Sequence, residues 1–129
     1  MIINNPSEQI TNFLNFITAA QSHYKFCEDE QKKQEALTQD YLHSLELDGL
    51  NCSERSKLAT KLAINRKDRR YYKDRVEELE LVVQWASDPA NIKAVNQLKQ
   101  ILGQVRKQEN YHKDRVYIPK ILKESGKDA

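Results

Sequence analysis

The strongest constraint on the fold is a run of residues at alternating spacings of three and four that begins near the N-terminus. Neither proline nor glycine interrupts it for about forty positions, and its middle is polar. Its members are Ile10, Phe13, Ile17, Ala20, Tyr24, Cys27, Gln31, Gln34, Thr38, Tyr41 and Leu45. This spacing is typical of a coiled-coil seam. It predicts one helix of about 43 residues and about 64 Å at 1.5 Å per residue, too long for a compact globule.

Capping signals set the ends of this helix and begin two more. Asn5 and Pro6 suit the start of the first helix, and Gly49 suits its end. Either Asn51 or Ser53 can cap a second helix. Its seam is Leu58, Leu62, Asn65, Arg69, Tyr72, Val76, Leu79, Val83 and Ala86. Asp88 and Pro89 then begin a third helix, which carries Ile92, Val95, Leu98, Leu102 and Val105 on one face and fades near Asn110.

The short link at Gly49 predicts that the first two helices fold back antiparallel. Pairing their seams across it places Thr38 opposite Asn65 and Gln34 opposite Arg69, so that the polar stretches of both helices coincide. The third helix then buries its face on the apolar start of helix one and end of helix two. We therefore predict an all-α fold: an antiparallel two-helix coiled-coil hairpin arm on a small three-helix head. Alternatively, oligomerisation covers a longer hairpin face.

These elements form a single helical domain over residues 1–110. The head comprises residues 1–25 and 76–110, and the hairpin arm comprises residues 26–75. Residues 111–129 are predicted to form an extended basic C-terminal tail, because they are β-branched and contain a proline. The apolar tail residues either fold back on the head or dock on a partner; they are Val116, Ile118, Ile121 and Leu122.

Composition argues against several classes of function. Three glycines are too few for a Gly-rich phosphate cradle, and two cysteines without a CxxC pair give no metal-ligand spacing. We therefore expect no metal and no cofactor. Glu77, Glu78 and Glu80 lie on an exposed helix face and lack the buried pocket that catalytic carboxylates need. We therefore expect that the chain is not an enzyme. No apolar run is long enough to span a membrane and no secretory signal is evident, so we expect a cytoplasmic protein.

The net charge of +2 hides a strong asymmetry between the two helices of the arm. Residues 28–48 hold seven acids and two bases, whereas residues 55–75 hold nine bases and two acids. From residue 89 onward there are nine bases and four acids. Attraction between an acidic and a basic helix would explain much of this pattern. The remaining cations predict a surface for a partner or for nucleic acid.

A basic and aromatic motif occurs twice, forty residues apart. Residues 66–76 (RKDRRYYKDRV) and residues 106–116 (RKQENYHKDRV) are identical at seven of eleven positions. Guanidinium groups bind phosphates, and phenol rings stack on bases or peptide planes. The candidate partner-binding or nucleic-acid-binding residues are Arg66, Arg69, Arg70, Tyr71, Lys73, Arg106, Lys107, Tyr111 and Arg115. Chance or a local duplication would also explain such a repeat; the functional interpretation is two similar patches that bind one target.

Three segments carry a general resemblance to a known group of proteins: residues 69–80 (RRYYKDRVEELE), 102–107 (LGQVRK) and 111–113 (YHK). Across residues 54–122 the chain resembles small helical accessory proteins of phages and prophages of Gram-positive bacteria. Such proteins often bind a host protein and disable or redirect it, and anti-CRISPR proteins are one example. The resemblance implies a protein target in the bacterial host cytoplasm. It has no defining motif, so no residue role is carried over from it.

Three hypotheses follow for the function. The leading one is a non-enzymatic protein that docks on a host protein handling nucleic acid, with the basic helix and tail in or near the nucleic-acid groove. The alternative is direct binding of DNA or RNA by a helical dimer. The third is a structural coiled-coil subunit.

Overall fold

The computed structural model describes residues 1–116 and 119–121, and in this part of the chain it contains three α-helices and no strand. Helix α1 is Pro6–Leu47, α2 is Cys52–Ser87 and α3 is Pro89–Asp114. The predicted all-α fold is confirmed. No segment of these helices is both long enough and apolar enough to cross a membrane.

The link between α1 and α2 is a tight turn with defined caps at both ends. Gly49 adopts a φ of 55°, a left-handed conformation that favours glycine and ends α1. Asn51 then begins α2, because its Oδ1 accepts a hydrogen bond from the Glu54 amide at 2.9 Å. Its Nδ2 also donates to Glu54 Oε1 at 2.8 Å. These contacts show that Asn51, of the two candidates, is the cap of α2.

A buried polar cluster shows how α1 and α2 are aligned. The Thr38 hydroxyl lies 2.5 Å from Asn65 Oδ1, and both residues are buried. Asn65 Nδ2 donates to the main-chain oxygen and to Oε1 of Gln34, at 2.9 and 2.8 Å. The predicted antiparallel pairing of Thr38 with Asn65 is therefore confirmed. No buried side-chain nitrogen or oxygen of this cluster lacks a hydrogen-bond partner, so the seam tolerates these side chains between its apolar ends.

The head forms where α3 packs on the N-terminal part of α1. Glu109 Oε1 accepts from the Ser7 amide at 3.1 Å, and Arg106 Nη2 donates to Thr11 Oγ1 at 3.1 Å. The order of these contacts shows that α3 runs antiparallel to α1. Asp88 caps α3 by accepting from the Ala90 amide at 2.9 Å. The buried apolar core is small and concentrated toward the head: Ile17, Ala20, Cys27, Ala86 and Leu102.

The C-terminal boundary differs from the prediction. Helix α3 continues through Asp114 instead of fading near Asn110, and Lys120 and Ile121 are also helical, so these parts of residues 111–129 are not the predicted extended tail. His112 and Lys113 lie in its last turn, where cations interact favourably with the helix dipole. Val116 and Ile121 are exposed, so these two residues do not fold back on the head. The predicted apolar tail residues Ile118 and Leu122 lie outside the described residues.

Candidate functional site

The nine candidate binding residues fall into two groups on different parts of the molecule. The first group lies on α2 in the arm, at the level of the Gln34–Asn65 contact. The second lies near the end of α3 in the head, at the level of the Thr11–Arg106 contact. Thr11 and Gln34 are 23 residues apart on α1, which corresponds to about 35 Å at 1.5 Å per residue. The two copies of the repeated motif therefore do not form one continuous surface.

Three cations of the α2 group form a single exposed line, which we name the basic stripe: Arg66, Arg70 and Lys73. Their spacing of four and then three residues places them on one helix face. Within the described part of the chain, none of the three side chains makes a salt bridge or a hydrogen bond. The stripe therefore presents three solvated positive charges over about 10 Å of helix.

Arg69 does not belong to this exposed line. It is half-buried in the seam, and its Nε lies 3.6 Å from Glu35 Oε1. This is the one salt bridge between α1 and α2 in the described residues. The predicted attraction between the acidic and basic helices is therefore present, but it uses one arginine and leaves the basic stripe exposed. An open groove of about 590 Å³ runs beside this pair, lined also by Arg66, Ala36 and Leu42.

Tyr71 lies on the other flank of α2. It follows Arg70 by one residue, so it points about 100° away around the helix. The Arg75 guanidinium lies over the Tyr71 ring at 5.5 Å, and the Tyr72 ring meets it edge-on at 5.3 Å. Half of Tyr71 remains exposed. The structure thus separates this predicted anchor from the three cations it was predicted to accompany.

The α3 group also divides between a structural contact and an exposed surface. Arg106 donates to Thr11 and so holds α3 against α1. Lys107, Tyr111 and Arg115 line one shallow depression of about 610 Å³, together with Asp114 and Val116. The Tyr111 ring packs against the neighbouring His112 ring at 5.7 Å, as Tyr71 packs against Tyr72 in the first copy of the motif.

The seam holds one cysteine whose environment suppresses its chemistry. Cys27 is fully buried, and its Sγ lies 3.6 Å from Nε2 of His23 one turn earlier. Burial raises the pKa of the Cys27 thiol above its ordinary value, so the reactive thiolate is disfavoured. Burial and then the nearby Glu30 carboxylate raise the pKa of the Tyr72 phenol in the same region. These shifts accompany packing in the seam. In the described residues no three His, Cys, Asp or Glu side chains cluster at metal-binding distance.

Sequence reasoning missed a second surface, which we name the aromatic side: Phe13, Phe16, Phe26, Tyr71 and Trp85. All five rings are partly exposed. Phe13 meets Trp85 edge-on at 6.5 Å, and Phe26 meets Tyr72 edge-on at 6.1 Å. The signal was present in the spacing of Phe16, Ala19, His23 and Phe26, which defines a second helical line beside the seam.

Comparison with models of protein families, with curated proteins and with solved structures finds no match to this chain. The functional assignment therefore rests on the geometry and charge of these two surfaces.

Proposed function

We propose that this chain is a non-enzymatic accessory protein of the phage type, which binds a host protein that handles nucleic acid and inhibits or redirects it. An anti-CRISPR protein acting on a Cas nuclease is an example of this class. The observation that carries the proposal is the basic stripe on the arm. Arg66, Arg70 and Lys73 remain exposed even though an acidic helix lies next to their own helix.

The positive charges of the basic stripe determine the kind of surface that it can bind. Two guanidinium groups and one ammonium group bind carboxylates or phosphates, and guanidinium does so with two parallel hydrogen bonds. A groove that holds nucleic acid is itself positively charged and would repel the stripe. Enzymes that cleave or transfer phosphodiesters also carry carboxylate clusters that hold their metal ions. We therefore place the docking surface at such an acidic cluster beside the groove rather than in the groove.

The shape of the arm supports the same function. The hairpin is a thin pair of long helices without a deep cavity around the stripe. Such a rod inserts into a cleft of a larger protein and blocks it, whereas catalysis needs a concave, water-excluding site. Lys107, Tyr111 and Arg115, about 35 Å further along the molecule, provide a second contact on a large partner.

The test compares two variants with equal changes in charge. The stripe variant carries Arg66→Glu, Arg70→Glu and Lys73→Glu. The control carries Lys57→Glu near the start of α2 and Lys93→Glu and Lys99→Glu on α3, and all three lysines are exposed. Tagged proteins capture partners from a Gram-positive host lysate, and mass spectrometry identifies them. We expect the wild type and the control to retain one nucleic-acid-handling protein and inhibit its activity, and the stripe variant to lose both effects while keeping its helicity by circular dichroism.

Two results would overturn the proposal. Equal capture and inhibition by the stripe variant would show that the stripe is not the docking surface. A shift of purified duplex DNA or RNA by the chain alone would favour direct nucleic-acid binding instead. In that case the logarithm of the binding constant falls with the logarithm of salt concentration, with a slope of about −0.9 for each phosphate contacted on duplex DNA.

A further inference from the structure

The aromatic side is a continuous surface along one flank of the hairpin. On α1 it follows Phe16, Ala19, His23 and Phe26, and on α2 it follows Tyr71, Arg75, Glu78, Val82 and Trp85. Both series keep the spacing of three and four that places side chains on one helix face. Each series also contacts a ring of the seam on the opposite helix: Phe26 meets the seam residue Tyr72, and Trp85 meets the seam residue Phe13.

This surface is as large as the largest apolar patches that monomeric proteins leave uncovered, and such patches are often functional. Phe16, Phe26 and Tyr71 are each 52% exposed, and Phe13 and Trp85 are 40% and 42% exposed. Since a buried aromatic residue covers 150–250 Å², these five rings leave about 500 Å² of aromatic surface in water. Ile101 of α3 extends the surface at the head, where it lines a cavity with Phe13 and Trp85. A patch of this size is characteristic of an interaction site.

The arm contributes little core, because its buried residues other than Cys27 are the polar Thr38 and Asn65. A two-helix hairpin buries one seam, and two hairpins packed face to face bury a second set of residues as a four-helix bundle.

We propose that two copies of this chain pair through their aromatic sides. Such an interface needs about 800 Å² from each copy, and the five rings alone contribute about 500 Å² of it. The charges on this flank are suited to a second copy. Arg75 and Glu78 form a salt bridge at 2.6 Å and neutralise each other, so that two such surfaces meet without repulsion. The basic stripe lies on the other flank of the seam and stays exposed in the pair.

The first experiment measures mass against concentration for the full chain. Light scattering and sedimentation equilibrium are carried out between 0.1 and about 100 µM, a range that brackets common dimer constants. Trp85 is the only tryptophan, so its emission reports the aromatic side in the unmodified protein. We expect the mass to double with increasing concentration and the Trp85 emission to shift to the blue over the same range. A monomer at every concentration, or a dimer that leaves Trp85 emission unchanged, would overturn the proposal.

The second experiment locates the interface with matched variants. Phe16→Ser with Phe26→Ser removes two half-exposed rings from the aromatic side. The control, Leu47→Ser with Val116→Ser, removes two residues that are 74% and 80% exposed and lie outside it. We expect the first variant to weaken the dimer at least 100-fold, and the control to leave it within threefold. Equal effects of the two variants would refute the assigned surface.

A third experiment separates loss of pairing from loss of folding, because it changes only one exposed residue. Tyr71→Arg adds a charge at a half-exposed position, and its helicity at 222 nm is compared with that of the wild type. We expect unchanged helicity and at least tenfold weaker pairing. A helical Tyr71→Arg protein that pairs as tightly as the wild type would also contradict the proposal.

Discussion

Replacement of Asn65 by alanine tests the contact that aligns the two helices of the arm. Asn65 is 3% exposed, and its amide makes three contacts with α1: it accepts from the Thr38 hydroxyl and donates twice to Gln34. In the variant, Gln34 Oε1 loses the buried donor that it faces. The single hydroxyl hydrogen of Thr38 can then be donated wholly to the main-chain oxygen of Gln34, which lies 2.9 Å from Thr38 Oγ1.

The expected loss of stability follows from these contacts. A buried polar group left without its partner costs about 1–3 kcal/mol, and the small space left by the amide adds to this. We therefore expect the free energy of unfolding to fall by about 2–3 kcal/mol. Because a domain of this kind has about 5–15 kcal/mol of stability in total, the variant should remain folded but be clearly weakened.

Urea unfolding followed at 222 nm measures this loss at one fixed protein concentration. With a slope of about 1.5 kcal/mol per molar urea, the midpoint should fall by about 1.3–2 M. Asn96→Ala is the matched control, because Asn96 is an exposed asparagine of α3 and its loss should change stability by less than about 0.5 kcal/mol. A double-mutant cycle with Thr38→Val should give a coupling free energy of about 1 kcal/mol. Equal midpoints for the Asn65 and Asn96 variants, or zero coupling, would refute the alignment.

Two further contacts give expectations of their own. The hydrogen bond from Ser7 lowers the pKa of the Glu109 carboxyl below its ordinary value of 4.5, so the carboxylate stabilises the head above that pH and the contribution disappears as the pH falls through the lowered value. We expect the wild type to melt at a higher temperature than Glu109→Gln at pH 7 and at the same temperature near pH 2; a difference that persists in acid would contradict the contact. Cys27 is buried with a raised thiol pKa, whereas Cys52 is exposed. Iodoacetamide should therefore modify Cys52 at least tenfold faster than Cys27 in the native protein and at a similar rate in urea, as followed by peptide mass spectrometry; similar native rates would show that the seam is open at Cys27.

The seam was predictable because its physical cause is periodic in the sequence. Residues spaced three or four apart lie on the same face of a helix. A buried face therefore gives a regular spacing of seam residues in the sequence, here from Ile10 to Leu45. The partner helix was predictable for a second reason. Thr38 and Asn65 each need a polar partner, and only one alignment of the two helices places them together. The extra turn of α3 through Asp114 was missed because the β-branched residues and Pro119 further along favour an extended conformation for the whole segment, although none of the residues from Tyr111 to Asp114 breaks a helix.

The division of the hairpin into two flanks was harder to predict, because it depends on angles that one residue of sequence changes by about 100°. Arg69, Arg70 and Tyr71 are consecutive, yet the first pairs with Glu35 in the seam and the last packs with Arg75 on the aromatic side. In the sequence, the three residues look like one basic and aromatic patch. In the helix, they point in different directions, and so they have different neighbours. Because the cations lie on one flank and the exposed rings on the other, one thin hairpin presents two different surfaces. Pairing through the aromatic flanks would then leave a basic stripe on each outer face, so that the two binding surfaces do not compete.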